Sequence, residues 1–178
     1  MHPRALILRL GYFWALLLGA ASTGWAQYSE SEVKAAFIFN IVRYAEWPQE
    51  ALPEGLPLRL CVLTRERGND SLAEELEKLR GRTVRNRPLE IRTAARFEAL
   101  APCHVLVAGH DLPERYRLLP ESRHQLNIAS GENPQEQGAM IGLVLLNNRL
   151  QFEVSQEATR RAAIQLPTAL LRLAWRVR

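Results

Sequence analysis

The chain has 178 residues, which is enough for one domain and too few for two comfortable ones. Its 23 basic and 19 acidic residues give a formal charge of +4, and Arg4 and Arg9 supply two of those charges within an acid-free leader, so residues 27–178 carry +2 (4 − 2). That near-balance argues against reading the pI of about 9.5 as a nucleic-acid-binding signal.

Residues 1–26 have the three parts of an export signal. Arg4 and Arg9 form a positive start, Leu10–Ala21 an apolar stretch, and Gly24-Trp25-Ala26 places small residues at the −3 and −1 positions of a cleavage site before Gln27. The apolar run is short for a membrane span, and no Cys follows it to carry a lipid anchor. The expected mature unit is one domain over 27–178, without a later hydrophobic run of spanning length.

Ser29 followed three residues later by Glu32 is a capping box, so a helix should begin there and stop by Trp47, where Pro48 disfavours helical geometry. On a helical wheel Val33, Phe37, Ile38, Ile41, Val42, Tyr44 and Ala45 share one arc, predicted to face the core. Ala35, Ala36, Phe39, Asn40, Arg43, Glu46 and Trp47 share the other side. Pro48 to Pro57 reads as a loop. Leu58–Leu63 is predicted as an interior strand, Asp70–Arg80 as a helix ended by Gly81, and 82–85 with 88–92 as a ribbon. A short helix near Ala94–Leu100 precedes a buried-type strand at Cys103–Ala108, and a second short helix is predicted at Pro113–Leu119.

Gln125–Ala129 returns to the sheet. After a polar loop, Met140–Leu146 and Arg149–Val154 flank Asn147-Asn148, a pair that tolerates the positive φ of a tight hairpin. In the second arm Leu150, Phe152 and Val154 alternate with Gln151 and Glu153, so only one face should be covered. Ser155 is placed to cap a helix through about Ile164, and Pro167 to begin a final one with Leu170, Leu173, Ala174 and Val177 inward. Alternating strands and helices followed by a hairpin predict an α/β fold: a single-domain three-layer sandwich with a mixed, mostly parallel sheet, a C-terminal β-hairpin and flanking helices.

Val33-Lys34-Ala35-Ala36-Phe37-Ile38-Phe39-Asn40 followed by Glu46-Trp47-Pro48 resembles the opening signature of the YfiR-like family of periplasmic proteins. Leu60–Leu63, Cys103–Leu106, Gly138–Ile141, Arg149–Val154 and Leu170–Ala174 agree with later family stretches in the same order, so the resemblance spans nearly the whole chain after residue 30. It implies a periplasmic, non-enzymatic, homodimeric repressor. The target it implies is the sensory region of an inner-membrane diguanylate cyclase or histidine kinase, whose inhibition would lower cyclic di-GMP output. It also implies sequestration of the repressor by a peptidoglycan-associated outer-membrane lipoprotein. Two features depart from the family: Gln165-Leu166 stands where a Ser cap is common, and Gly131–Met140 lacks the second Cys pair that some relatives carry.

The residues themselves offer little chemistry. Thr64–Asn69 lacks both glycine patterns that cradle phosphates, and Ser130 lacks the elbow that exposes a nucleophile. No cofactor and no metal site are expected. His104 reads as a hydrogen-bonded core histidine, and Asp70 as a helix-start residue. His110 and Asp111 could act as base and partner or as metal ligands, but no third ligand stands at a telling spacing. Cys61 and Cys103 are the only cysteines and form no C-x-x-C pair. An even count in an oxidising compartment favours a disulfide, which is feasible if their strands are sheet neighbours; two separate buried thiols are the alternative.

Two features bear on partners. Phe39, Arg43 and Trp47 lie together on the polar side of the first helix, where Phe39 either buries against the loop after Pro48 or joins the other two in a protein-contact patch. Arg80, Arg82, Arg85, Arg87, Arg92 and Arg96 cluster among several Glu residues and read as a solvated turn and strand edge. Beside the repressor stand two other readings. One is a periplasmic small-ligand-binding protein feeding a membrane sensor kinase through the crevice at the strand ends; the other is a hydrolase using His110 and Asp111. No nucleic-acid partner is expected.

Overall fold

The computed structural model describes residues 28–64, 69–96, 102–109, 123–131, 133–136 and 138–178. The segment expected to be an export signal, His110, Asp111 and the helix expected at Pro113–Leu119 lie outside the described residues. At the centre is β1 (Leu58–Leu63), in which every residue but Arg59 is buried. Covering a Leu or Ile side chain is worth roughly 1.5–3 kcal/mol relative to leaving it in water, so such a run is stable only as an interior strand.

Around β1 the sheet grows in both directions. The ribbon of β2 (Thr83–Val84) and β3 (Arg87–Ala94) turns through Arg85 and Asn86, at φ 49° and 62°. From β3 the order continues through β1, β4 (Val105–Ala108), β5 (Leu126–Ser130), β6 (Ile141–Leu146), β7 (Arg149–Val154) and β8 (Arg176–Val177). β3 and β4 lie parallel to β1 on its two sides, and β4–β5 and β5–β6 are parallel too. The β6–β7 hairpin is antiparallel and turns through Asn147 and Asn148, at φ 50° and 58°. The fold is the expected α/β domain with a mixed, mostly parallel sheet.

Helices α1 (Glu30–Tyr44), α2 (Asn69–Glu77) and α3 (Gln156–Arg161) share one core with the sheet. Ile38, Ile41, Val42, Leu72, Leu76 and Ala158 pack there with Leu60, Val62, Val105, Val107, Ile128 and Val154. A smaller cluster of Cys61, Leu63, Leu106, Ala108, Ala129 and Ala139 occupies the opposite face, with Cys103 against it. Ala94, expected to open a short helix, ends β3 instead, and residues 97–100 lie outside the described residues.

The capping box of α1 is present, with the Glu32 N–H donating to Ser29 Oγ and the Ser29 N–H to the Glu32 carboxylate. The helix stops at Tyr44, earlier than Pro48 alone requires. The Glu46 and Gln165 backbones exchange N–H···O bonds of 2.9 and 3.0 Å, which pulls the chain into an extended bridge. The buried arc is also rotated from the expected one. Ala35, Ile38, Ile41, Val42 and Ala45 face inward, Tyr44 is 48% exposed, and Phe37 and Phe39 flank the arc half-buried.

The C-terminus departs most from expectation. Only Thr168–Leu171 is helical (α4); Leu170 is buried, but Leu173 and Val177 point outward, 72% and 41% exposed. Pro167 gives no side-chain cap, so little holds a longer helix together. The backbone instead satisfies the outer edge of β7: the Trp175 N–H donates to the Phe152 carbonyl and the Arg178 N–H to the Val154 carbonyl. β8 is the parallel strand that results.

Cys61 and Cys103 form a disulfide with Cα atoms 6.0 Å apart, joining β1 to the residues that lead into its neighbour β4. It closes a separation of 42 residues. For such a loop the chain-entropy account gives about 4 kcal/mol of stabilisation. Cys103→Ser should therefore lower unfolding stability by about 3–4 kcal/mol in urea titrations of oxidised protein. An unchanged midpoint, or two thiols that label quantitatively in native protein, would contradict the bond.

Candidate functional site

Phe39 and Arg43 stand one helical turn apart on α1, and helical side chains lean toward the N-terminus, so Arg43 naturally overlies Phe39. Its guanidinium carbon is 5.9 Å from the Phe39 ring centroid. Arg82, from the residue before β2, reaches the same ring at 6.0 Å. Both distances lie within cation–π range. The ring also packs on the main core, so it is a half-buried platform approached by two exposed arginines.

Trp47 does not join them through any described ring contact. Its indole N–H donates to the His124 carbonyl at 3.0 Å, and the ring rests half-buried against the core. Arg82, which the sequence places in a solvated turn, is the second arginine at the Phe39 ring. No local signal marks it, because Arg82 and α1 meet only through the tertiary fold.

Most of the arginine cluster is committed locally. Arg80 pairs with Glu77 and donates to the Ile91 carbonyl, Arg92 pairs with Glu90, and Arg85 pairs with Glu46 at 3.0 Å. Arg87 staples the loop after Pro48, donating to the carbonyls of Leu52, Pro53 and Leu56. A cavity of about 310 Å³ lies there, lined in part by Trp47, Leu52, Arg85 and Arg87, but its arginines already have partners.

A larger groove, about 740 Å³, runs beside the β6–β7 hairpin and is lined in part by Lys34, Leu143, Leu150, Trp175 and Arg176. Glu153 also lines it and is only 5% exposed, which corrects the expectation that the second face of β7 is open. The loop at 133–136 covers that face: a Cβ placed on Gly142 would come within 2.3 Å of Pro134 Cγ and 3.0 Å of Glu153 Cγ. Gln135, on the same wall, has a buried Nε2 without a hydrogen-bond partner among the described residues. Glu153 and Gln135 thus place a carboxylate and an amide on one wall of the groove.

For catalysis the described residues assemble no constellation. Ser130 is buried in β5, and no group of three or more His, Cys, Asp or Glu among the described residues could hold a metal. No helix among them is long and apolar enough to cross a membrane. His104 Nδ1 accepts the Arg59 backbone N–H at 2.9 Å, and the His104 backbone N–H donates to the Arg59 carbonyl at 3.0 Å, extending the pairing at the start of β1. Burial holds its imidazole below the ordinary histidine range, partly offset by the Ala51 carbonyl.

A family model described as YfiR/HmsC-like matches residues 31–175. No curated protein matches the chain. Among solved structures, a conserved domain protein from Vibrio cholerae O1 biovar El Tor strain N16961 is similar at 14% identity and a TM-score of 0.49. The alignment covers 85% of this chain and 61% of that one, so the chain spans about three fifths of its length.

The His104 contact makes a pH prediction. With the folded pKa depressed, the unfolded chain takes up the proton first. The histidine's contribution is therefore complete above its unfolded pKa, about 6.5, and is lost as pH falls toward the folded value. Urea midpoints should fall between pH 7.5 and 5.5, and His104→Asn should shrink that fall. An identical pH dependence in the variant would contradict the assignment.

Proposed function

The chain belongs to the YfiR/HmsC-like family, whose members are periplasmic regulators of cyclic di-GMP signalling rather than enzymes, and we propose that it is a repressor acting by direct contact. Its target is the exported sensory region of an inner-membrane diguanylate cyclase, and binding lowers cyclic di-GMP output. The observation that carries this reading is the family match, which runs through residues 31–175 and so takes in nearly all of the expected mature chain. The reading includes cleavage of residues 1–26 on export, homodimerisation, and sequestration by a peptidoglycan-associated outer-membrane lipoprotein. A binding protein can shift a two-state receptor only by preferring one state, so the repressor must recognise the inactive arrangement of the cyclase. The contact surface we assign is the Phe39–Arg43 face of α1, with Trp47 anchoring the end of that segment to the fold.

A second reading rests on the groove at Glu153 and Gln135, which suits a small polar ligand that would tune the contact or report to a sensor kinase. Thermal stabilisation by a metabolite, abolished in Glu153→Gln, would support it.

Deleting the gene should raise cyclic di-GMP, and deleting the cyclase as well should abolish the rise. Phe39→Ala, if folded, should weaken binding to the cyclase's exported region by about 1–2 kcal/mol, as loss of an interface aromatic commonly does. A rise that persists without the cyclase would contradict the reading. Normal binding by folded Phe39→Ala would move the contact elsewhere.

A further inference from the structure

We infer that the α1 contact surface recognises an acidic segment of its protein partner, gripped by Arg43 and Arg82 over the Phe39 ring. The inference rests on the repressor reading and adds the chemistry of the partner. Neither guanidinium has a carboxylate within ion-pair distance among the described residues, although Arg80, Arg85 and Arg92 nearby in sequence all do. The Glu46–Arg85 pair is locally neutral, so Arg43 and Arg82 add two positive charges that no described residue compensates on this face.

Their positions are set in advance. Arg43 is in the last turn of α1, where a cation favours the helix dipole, and Phe39 one turn earlier holds its stem in place. Arg82 donates its backbone N–H to the Leu79 carbonyl and accepts from the Leu89 N–H, so the root of its side chain is fixed. The shared ring is seated in the core and gives both guanidiniums one support. A guanidinium resting on an aromatic keeps a planar fork of N–H donors for a carboxylate, at little further entropic cost. Two such forks around one apolar ring suit a segment carrying carboxylates beside an apolar side chain. A membrane surface would instead favour a longer basic stretch with flexible lysines, and the chain has only Lys34 and Lys78.

The test uses chromosomal alleles and purified full-length mature protein. Cyclic di-GMP is measured in the wild type, the deletion strain, Arg43→Glu/Arg82→Glu and Arg43→Lys/Arg82→Lys. Binding to the cyclase's exported region is titrated at low and high salt. We expect the Glu pair to behave like the deletion, with its Kd raised at least tenfold, and the Lys pair to retain partial repression. Wild-type Kd should rise with salt, and that dependence should flatten in the Glu pair. If circular dichroism shows the Glu pair unfolded, Arg43→Gln/Arg82→Gln takes its place, with the same tenfold loss expected. Full repression and an unchanged Kd in folded charge-reversed or neutral protein would overturn the inference while leaving the repressor reading intact. A deletion strain with unchanged cyclic di-GMP would overturn the repressor reading first. Binding to phosphatidylglycerol vesicles that needs both arginines, with repression unaffected by their loss, would assign the patch to a membrane and overturn the inference.

Discussion

A strand paired along both edges and buried on both faces leaves the surrounding chain few choices, and β1 is that strand. Its parallel neighbours require crossovers, one of which is α2 between β1 and β3. The Cys61–Cys103 disulfide and the His104–Arg59 hydrogen bonds fasten β4 to it at both levels, covalent and polar. The core that forms on one face of this sheet takes α1 by its arc from Ala35 to Ala45. Once that arc is inside, the side bearing Arg43, Asn40 and Tyr44 is held outward, and Phe39 sits at the boundary. The candidate contact surface is thus a consequence of how the core selects one face of the first helix.

That origin bears on mechanism. A ring anchored in the core and two arginines held on it lose less freedom on binding than mobile surface side chains do, so more of the contact energy remains for affinity. Such a rigid surface suits a repressor that must distinguish two arrangements of one receptor. The groove at Glu153 lies beside Lys34, in the first half of the same helix.

Local rules made much of this legible. The capping box at Ser29 and Glu32, the Asn147-Asn148 turn and the unbroken apolar run of β1 each carry their structure within a few residues. The cysteine pair needed only the neighbourhood of two strands. What escaped was set by distant partners. The end of α1 was decided by a bridge to Gln165, and the C-terminal residues by the unpaired edge of β7. Helical periodicity at Leu173 and Val177 competed with that edge and lost. Glu153 alternated as a solvent-facing residue should, yet a loop some twenty positions earlier covers it. Arg82 was one arginine among six until the fold set it over Phe39.

The central claim is that regulation proceeds through the exposed side of α1 rather than through the groove or through chemistry. Site-specific photocrosslinking in living cells tests it most directly. A photoreactive amino acid at Asn40, exposed between Phe39 and Arg43, is compared with one at Leu145, which is 54% exposed at the groove. The account predicts an adduct between the Asn40 variant and the membrane diguanylate cyclase, and none from Leu145. Adducts to the cyclase from Leu145 alone would contradict it.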